Sequence, residues 1–204
     1  MIIELHPKNP NQRDLKKLVQ LLDANGVIII PTDTIYALAC RMDRKKAIER
    51  MAKISGKKIE KTNFSLLCTN LSNISEYTSH IDKSVFRLLK NNLPGPFTFI
   101  LNSNNNISHH FGYPKKTIGI RVPDNIIAQT LIAEIGIPLV VTTIHHDDEI
   151  LEYMTDPVEI HNKFEHIVDA VIDGGFGDNI ASTIIDSTND EIKIIREGKG
   201  ILNQ

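Results

Sequence analysis

The chain has 204 residues, 41% of them hydrophobic and 24% charged, with a formal charge of −2 at pH 7. That length builds one sizeable core and is short for two. The near-neutral balance excludes a nucleic-acid or membrane partner recognised by whole-protein charge, and no apolar run is long enough to span a membrane.

The opening Met1-Ile2-Ile3-Glu4-Leu5-His6 has no basic-then-apolar leader pattern, so a cytoplasmic protein is expected. Asn11 caps a first helix whose stripe is Leu15, Leu18, Val19 and Leu22, and Asn25-Gly26 ends it. The apolar run Val27-Ile28-Ile29-Ile30 is a buried strand stopped by Pro31. Asp43 caps a second helix carrying Ala47, Ile48, Met51 and Ala52, and a basic connection over 53–61 leads to the strand Phe64 to Cys68. Asp82 caps a third helix with Val85, Phe86, Leu88 and Leu89 inward. A Pro94-Gly95-Pro96 turn feeds the strand Phe97 to Leu101, and an asparagine-rich loop precedes the strand Thr117 to Val122. Pro123-Asp124 opens a helix with Ile127, Ala128, Leu131, Ile132 and Ile135 on its apolar side, closed by Gly136. The strand Leu139 to Thr143, a polar loop and a helix started by Asp156-Pro157 follow. Strand-like runs at Val168–Ile172, Thr183–Asp186 and Ile192–Ile195 finish the chain. Helices and strands alternate early and strands dominate late. The expected class is α/β with an α+β character: one domain over 1–204, an open twisted mixed sheet flanked by helices.

Cys40 and Cys68 sit in apolar surroundings without ligand spacing and read as reduced core residues, with a disulfide or reactive thiol as the lesser reading. The polar clusters lie at strand ends, where α/β proteins place ligands. Pro31-Thr32-Asp33-Thr34-Ile35-Tyr36 is either such a site or an ordinary polar turn. Residues two apart on a strand share a face, so Thr117, Gly119 and Arg121 point one way and Ile118, Ile120 and Val122 into a core. A guanidinium, bare backbone and a hydroxyl on one face suit a carboxylate or phosphate. Arg196, before Gly198, is either a second such cation or a solvated charge, and Asp173-Gly174-Gly175 reads as a turn needing positive φ. Basic residues cluster at Lys53, Lys57, Lys58 and Lys61, at Lys115 and Lys116, and at Arg196 and Lys199. His145-His146-Asp147-Asp148 and His109-His110 are poor metal sites, because neighbouring side chains diverge; no metal site built by the protein is expected. Neither a Walker loop nor a Gly-x-Gly-x-x-Gly pattern is present.

Taken in order from about Gly26 to Gly198, these segments resemble the YrdC/YciO-like family, known for threonylcarbamoyl-AMP synthesis in tRNA modification. Pro31-Thr32-Asp33-Thr34-Ile35-Tyr36-Ala37-Leu38 resembles its Pro-Thr-Asp-Thr-x-Tyr-Gly-Leu, and Leu93 to Thr98 its Trp-Pro-Gly-Pro-x-Thr. Thr117 to Pro123 resembles its Thr-x-x-x-Arg-x-Pro strand, and Ser182 to Asp186 its Ser-Thr-x-x-Asp. The resemblance implies a large electropositive concave cavity for ATP and L-threonine. It also implies synthesis of a carbamoyl-adenylate from threonine, bicarbonate and ATP with Mg2+, releasing pyrophosphate. Carried over by position, Lys57 and Arg121 would be catalytic. Thr34, Arg121, Thr143 and Ser182 would hold threonine, and Lys57, Lys61, Thr117 and Arg196 would hold ATP. Three departures stand out. The family's Lys-x-Arg aligns with Ser55-Gly56-Lys57, its Thr-Ser-Ala-Asn with Thr142-Thr143-Ile144-His145, and Ala37 and Ala39 replace glycines. With Asn63-Phe64-Ser65-Leu66 in place of a Lys-Pro-Leu run, the chain is most similar to the YciO branch. Alternatives are a noncatalytic binder of double-stranded RNA, tRNA or nucleotide using the same basic cavity, and another small acid or amine as acceptor. The oligomeric state is left open.

Overall fold

The computed structural model describes residues 1–72, 74–144, 153–189 and 191–203. The strands are β1 (Ile2–Glu4), β2 (Ile28–Ile30), β3 (Ala37–Arg41), β4 (Ser65–Leu67), β5 (Phe97–Asn102), β6 (Thr117–Arg121), β7 (Leu139–Thr143), β8 (Ala170–Asp173), β9 (Thr183–Asp186) and β10 (Lys193–Arg196). The helices are α1 (Gln12–Asp23), α2 (Lys45–Ile54), α3 (Lys83–Asn92), α4 (Asn105–Phe111), α5 (Ile126–Ile135) and α6 (Pro157–Phe164). All ten strands form one mixed sheet in the order β1-β8-β2-β3-β7-β4-β6-β5-β9-β10. Pairings β1–β8, β2–β8, β4–β6 and β5–β9 are parallel and the others antiparallel. This is the expected single-domain, open mixed sheet.

Both faces of the central strands are buried, which is why β2 reads as an unbroken run of isoleucine and not as an alternation. Ile29, Leu38, Leu66, Ile118 and Ile120 pack with α2, α3 and α6 on one face. On the other, Ile28, Ile30, Ala39, Leu139 and Ile172 pack with Leu15, Leu18 and Leu22 of α1 and Ile127 and Leu131 of α5. Those two helices cover the β8–β2–β3–β7 half of that second face. Ser65 of β4, Thr98 of β5, Arg121 of β6 and Ile184 of β9 line a cavity on the remainder. The uncovered half of the face is therefore where the site can form.

Several local readings need correction. Asp43 does not cap α2: its carboxylate is engaged by Arg41 Nε at 2.9 Å and Arg44 Nη1 at 2.9 Å, and the helix starts one residue later without a side-chain cap. Asp82 occupies the N-cap position of α3 without a side-chain capping hydrogen bond, and Phe86 lies exposed. The cap of α5 is Asn125, accepting from Ala128 N, not Asp124. Part of the asparagine-rich stretch is α4, capped by Asn104 and closed by Gly112 in the left-handed region, with Ile107 and Phe111 one turn apart on its buried side. Strands β1 and β3 were hidden as well, the first by its length and the second by alanines of low strand propensity. Caps at Asn11 and Asp156 are as expected. Cys40 and Cys68 are buried free thiols, and burial pushes the Cys68 thiol up to about 12. Among the described residues no helix is long and apolar enough to cross a membrane.

The hydrogen bond from Arg41 holds the Asp43 carboxyl below its ordinary value of 3.8. A carboxylate depressed on folding adds stability that is present above the unfolded value and lost as pH falls through the folded one. Asp43→Asn should therefore lower the thermal midpoint at pH 7 and flatten its decline below about pH 4, as read by thermal melts across pH.

Candidate functional site

The site begins where Pro31 ends β2. Thr32 Oγ1 donates to Ile35 O at 2.8 Å and accepts from Thr34 N at 3.1 Å, closing a tight hydroxyl-braced loop. Arg121, the last residue of β6, reaches into this loop. Its Nη2 donates to Asp33 Oδ1 and Thr34 Oγ1, each at 2.9 Å, with Thr32 Oγ1 at 3.5 Å. The Arg121 and Asp33 side chains are only 8% and 7% exposed. Arg121 Nε and Asp33 Oδ2 are buried without a hydrogen-bond partner among the described residues. Burial lowers the guanidinium's pKa, Asp33 opposes that effect, and the nearby charge of Arg196 adds to it. Two guanidiniums close enough to repel one another make a place that an anion stabilises.

Arg196 approaches from β10. Its Nη2 and Nε donate to Ser182 O at 2.8 and 3.2 Å, and Nη2 stands 3.4 Å from Ser182 Oγ. Ser182 Oγ in turn shares a 2.8 Å hydrogen bond with Thr98 Oγ1. Lys57 is placed by the end of α2. Gly56 takes φ +68°, its N–H bonds Lys53 O and the Lys57 N–H bonds Ala52 O, a helix-closing turn that only a residue tolerant of positive φ makes cheaply. Gly119 leaves room for two of the wall's side chains: a Cβ there would lie 2.4 Å from Ser65 Oγ and 3.1 Å from Thr98 Cγ2.

Five of the residues singled out in the sequence line one cavity: Lys57, Arg121, Thr143, Ser182 and Arg196. Thr34 joins them through Arg121 but faces a neighbouring cleft with Thr32, Asp33, Asp178 and Lys199. Thr117 and Lys61 are not in the wall. Thr117 is at the opposite end of β6, four residues or about 13 Å from Arg121. Lys61 closes an exposed single turn over Ile59–Lys61, so the basic connection is partly structured. The cavity also takes in Thr142, from the stretch aligned with the family's Thr-Ser-Ala-Asn, and Ser65, Thr98, Asn63 and Tyr153, to which the sequence assigns no individual role. Ser65 was findable only from the register that sets it beside Gly119. Tyr36 has a scaffold role: its hydroxyl donates to Gly175 O at 2.7 Å, accepts from Gly174 N, and burial pushes its pKa up to about 12. The His145–Asp148 run lies outside the described residues.

The sequence profile of the Sua5, YciO and YrdC proteins, described as "Telomere recombination", matches residues 20–198. The chain belongs to this family. It is 41% identical to the Escherichia coli protein YciO over 198 residues, covering 96% of this chain and 94% of YciO. An uncharacterised Haemophilus influenzae protein is 40% identical over 197 residues, with the same coverage. A Bos taurus threonylcarbamoyl-AMP synthase is a more distant relative, 28% identical over 90% of this chain and 67% of its own length. The crystal structure of E. coli YciO superposes with a TM-score of 0.87 over 98% of this chain and 97% of that one. P. abyssi Sua5 complexed with L-threonine shares the fold, with a TM-score of 0.84 at 20% identity over 97% of this chain and 57% of that one.

Breaking a buried ion pair strands its partner's charge. Asp33→Ala should therefore cost about 3–5 kcal/mol in urea unfolding. Thr34→Val, which removes one neutral acceptor, should cost nearer 1 kcal/mol.

Proposed function

We propose that the cavity forms a carbamoyl-adenylate from L-threonine, bicarbonate and ATP. The observation that carries this reading is the convergence of Lys57, Arg121 and Arg196 with the hydroxyls of Ser65, Thr98, Thr143 and Ser182 on one wall. Cations and hydroxyls in such numbers suit a ligand bearing a carboxylate and phosphates. The name of the Bos taurus relative and the threonine complex of P. abyssi Sua5 support the choice of amino acid.

In this reading Arg121, held by Asp33 and Thr34, clamps the threonine carboxylate, while Thr143 and Ser182 orient the amino acid and Thr34 acts through Arg121. The threonine amine adds to carbon dioxide released from bicarbonate, giving a carbamate and a proton. A carbamate oxygen then attacks the α-phosphorus of ATP, and the bond to the β-phosphate oxygen breaks to release pyrophosphate. Arg196 and Lys57 offset charge on the phosphates, because positioning and electrostatics carry most of such a displacement. The wall's donor set is cationic and hydroxylic, which fits a nucleotide bringing its own magnesium better than an ion held by the protein. Bound that way, magnesium would neutralise phosphate charge. The product would feed threonylcarbamoyl transfer to tRNA.

Ser55 and Lys57 set the expected rate. Ser55 Oγ donates back to Met51 O, so it supplies no charge, and Lys57 lacks the bidentate fork of arginine. Native protein should release pyrophosphate slowly and only with threonine and bicarbonate present. A Ser55→Lys, Lys57→Arg double variant should gain about ten- to a hundredfold, with Arg196→Ala as the blank. If the native protein equals the blank and the double variant gains nothing, the synthase reading fails. A second reading then takes its place, favoured by the exposure of Lys53, Lys57, Lys58 and Lys61: noncatalytic binding of double-stranded RNA or tRNA. Such binding should weaken steeply with salt, and neutralising these lysines should flatten that response.

A further inference from the structure

Lys199 has no role in the chemistry above, yet its ammonium ties together two loops beside the site. Its Nζ donates to Asp33 O at 2.7 Å and to Asp178 Oδ2 at 2.8 Å. Asp178 N itself donates to Thr34 O at 3.1 Å, so the loop after β2 and the loop before β9 meet at this lysine. The segment that carries Lys199 is firmly placed. Lys199 N donates to Ala181 O at 2.9 Å, and Gly198 N donates to Thr183 Oγ1 at 3.0 Å. Beyond it, Asn203 exchanges two 2.8 Å hydrogen bonds with the Asn92 side chain. Three residues earlier on the same segment, Arg196 grips Ser182. The end of β10 and the segment after it thus hold the cavity from one side through Arg196 and the Thr32–Thr34 loop from the other through Lys199.

We propose that Lys199 is a positioning residue for the amino-acid end of the site, acting through the Asp33 carbonyl on Arg121. The proposal rests on the functional reading given above. All three acceptors of Arg121 Nη2 belong to Thr32, Asp33 and Thr34, so the orientation of the guanidinium follows the loop. The Lys199 side chain is 41% exposed, and an ion pair that open to water adds little to stability. Its effect is geometric: a loop displaced by a fraction of an ångström moves the clamp off its carboxylate.

The experiment compares native protein with Lys199→Met, Lys199→Arg and Asp178→Asn by steady-state pyrophosphate release and by amide hydrogen exchange. Lys199→Met should raise the KM for L-threonine about tenfold, leave the KM for ATP within about twofold and reduce kcat by less than about threefold. Lys199→Arg, which keeps the donor, should restore most of the threonine KM. Asp178→Asn, which keeps the bond to the Asp33 carbonyl, should disturb it less than Lys199→Met. Exchange at the Asp178 amide should accelerate at least about tenfold in Lys199→Met and return towards native in Lys199→Arg. An unchanged threonine KM, an equal rise in the KM for ATP, or unchanged exchange overturns the proposal. Absence of threonine-dependent turnover in the native protein overturns the functional reading instead, and the exchange comparison then decides by itself whether Lys199 holds the two loops.

Discussion

Arg121 is a charge placed at the end of a buried strand, and the arrangement around it follows from the cost of keeping it there. A guanidinium removed from water needs an opposing charge and acceptors in fixed positions. Asp33 and the hydroxyl of Thr34 supply them from the loop that Pro31 starts. That loop is itself folded around the Thr32 hydroxyl. The pairing joins a residue near the start of the chain to one beyond its midpoint, and it fixes the loop after β2 against the end of β6. Arg196 then adds a second positive charge to the same space, a placement that a folded protein tolerates most easily where a ligand carries the compensating negative charge.

The architecture supplies that space by leaving one sheet face half-covered. Helices α1 and α5 seal the face over β8, β2, β3 and β7 with leucine and isoleucine. Beyond β7 the inward positions become Ser65, Thr98, Arg121 and Ser182, which would be costly under a helix and are suited to a ligand. The opposite face of the same strands, with Leu66, Phe99 and Ile120, remains apolar and packed. One set of strands therefore serves as core on one side and as cavity wall on the other, through the two-residue alternation of side chains.

The strands with long apolar runs, the ends of the helices at Asn11 and Asp156, and the alternation in Thr117–Val122 were legible in the sequence because each depends on neighbours a few residues away. Asp43 was misread because two neighbouring arginines, Arg41 and Arg44, take the carboxylate that a cap would use, and Arg41 is itself held from across the chain by Asp23. Arg121, Ser182 and Arg196 could be named as site residues because polar groups at strand ends stood out, whereas Lys57 and Thr143 were reached only through the family resemblance. Thr117 was placed with them on the strength of a shared face, but sharing a face says nothing about distance along the strand. Ser65 and Lys199 were out of reach, since their places depend on strand register and on a contact spanning 166 residues.

The place of β8 has a consequence for how the chain acquires this form. β8 lies between β1 and β2, so two strands made within the first thirty residues stay apart until a segment near residue 170 arrives to join them. The join is locked by Asp169, whose carboxylate accepts from Val27 N at 2.7 Å and from Arg50 at 2.6 Å. Contacts of such sequence separation close large loops before they return any stabilisation, and they slow folding accordingly. During synthesis the amino-terminal strands leave the ribosome with an open edge on β2, and the sheet is completed only when the last third of the chain has emerged. Since β9, β10 and the segment beyond them also carry Ser182, Arg196 and Lys199, a nascent or shortened chain can hold much of the apolar core and still have no site.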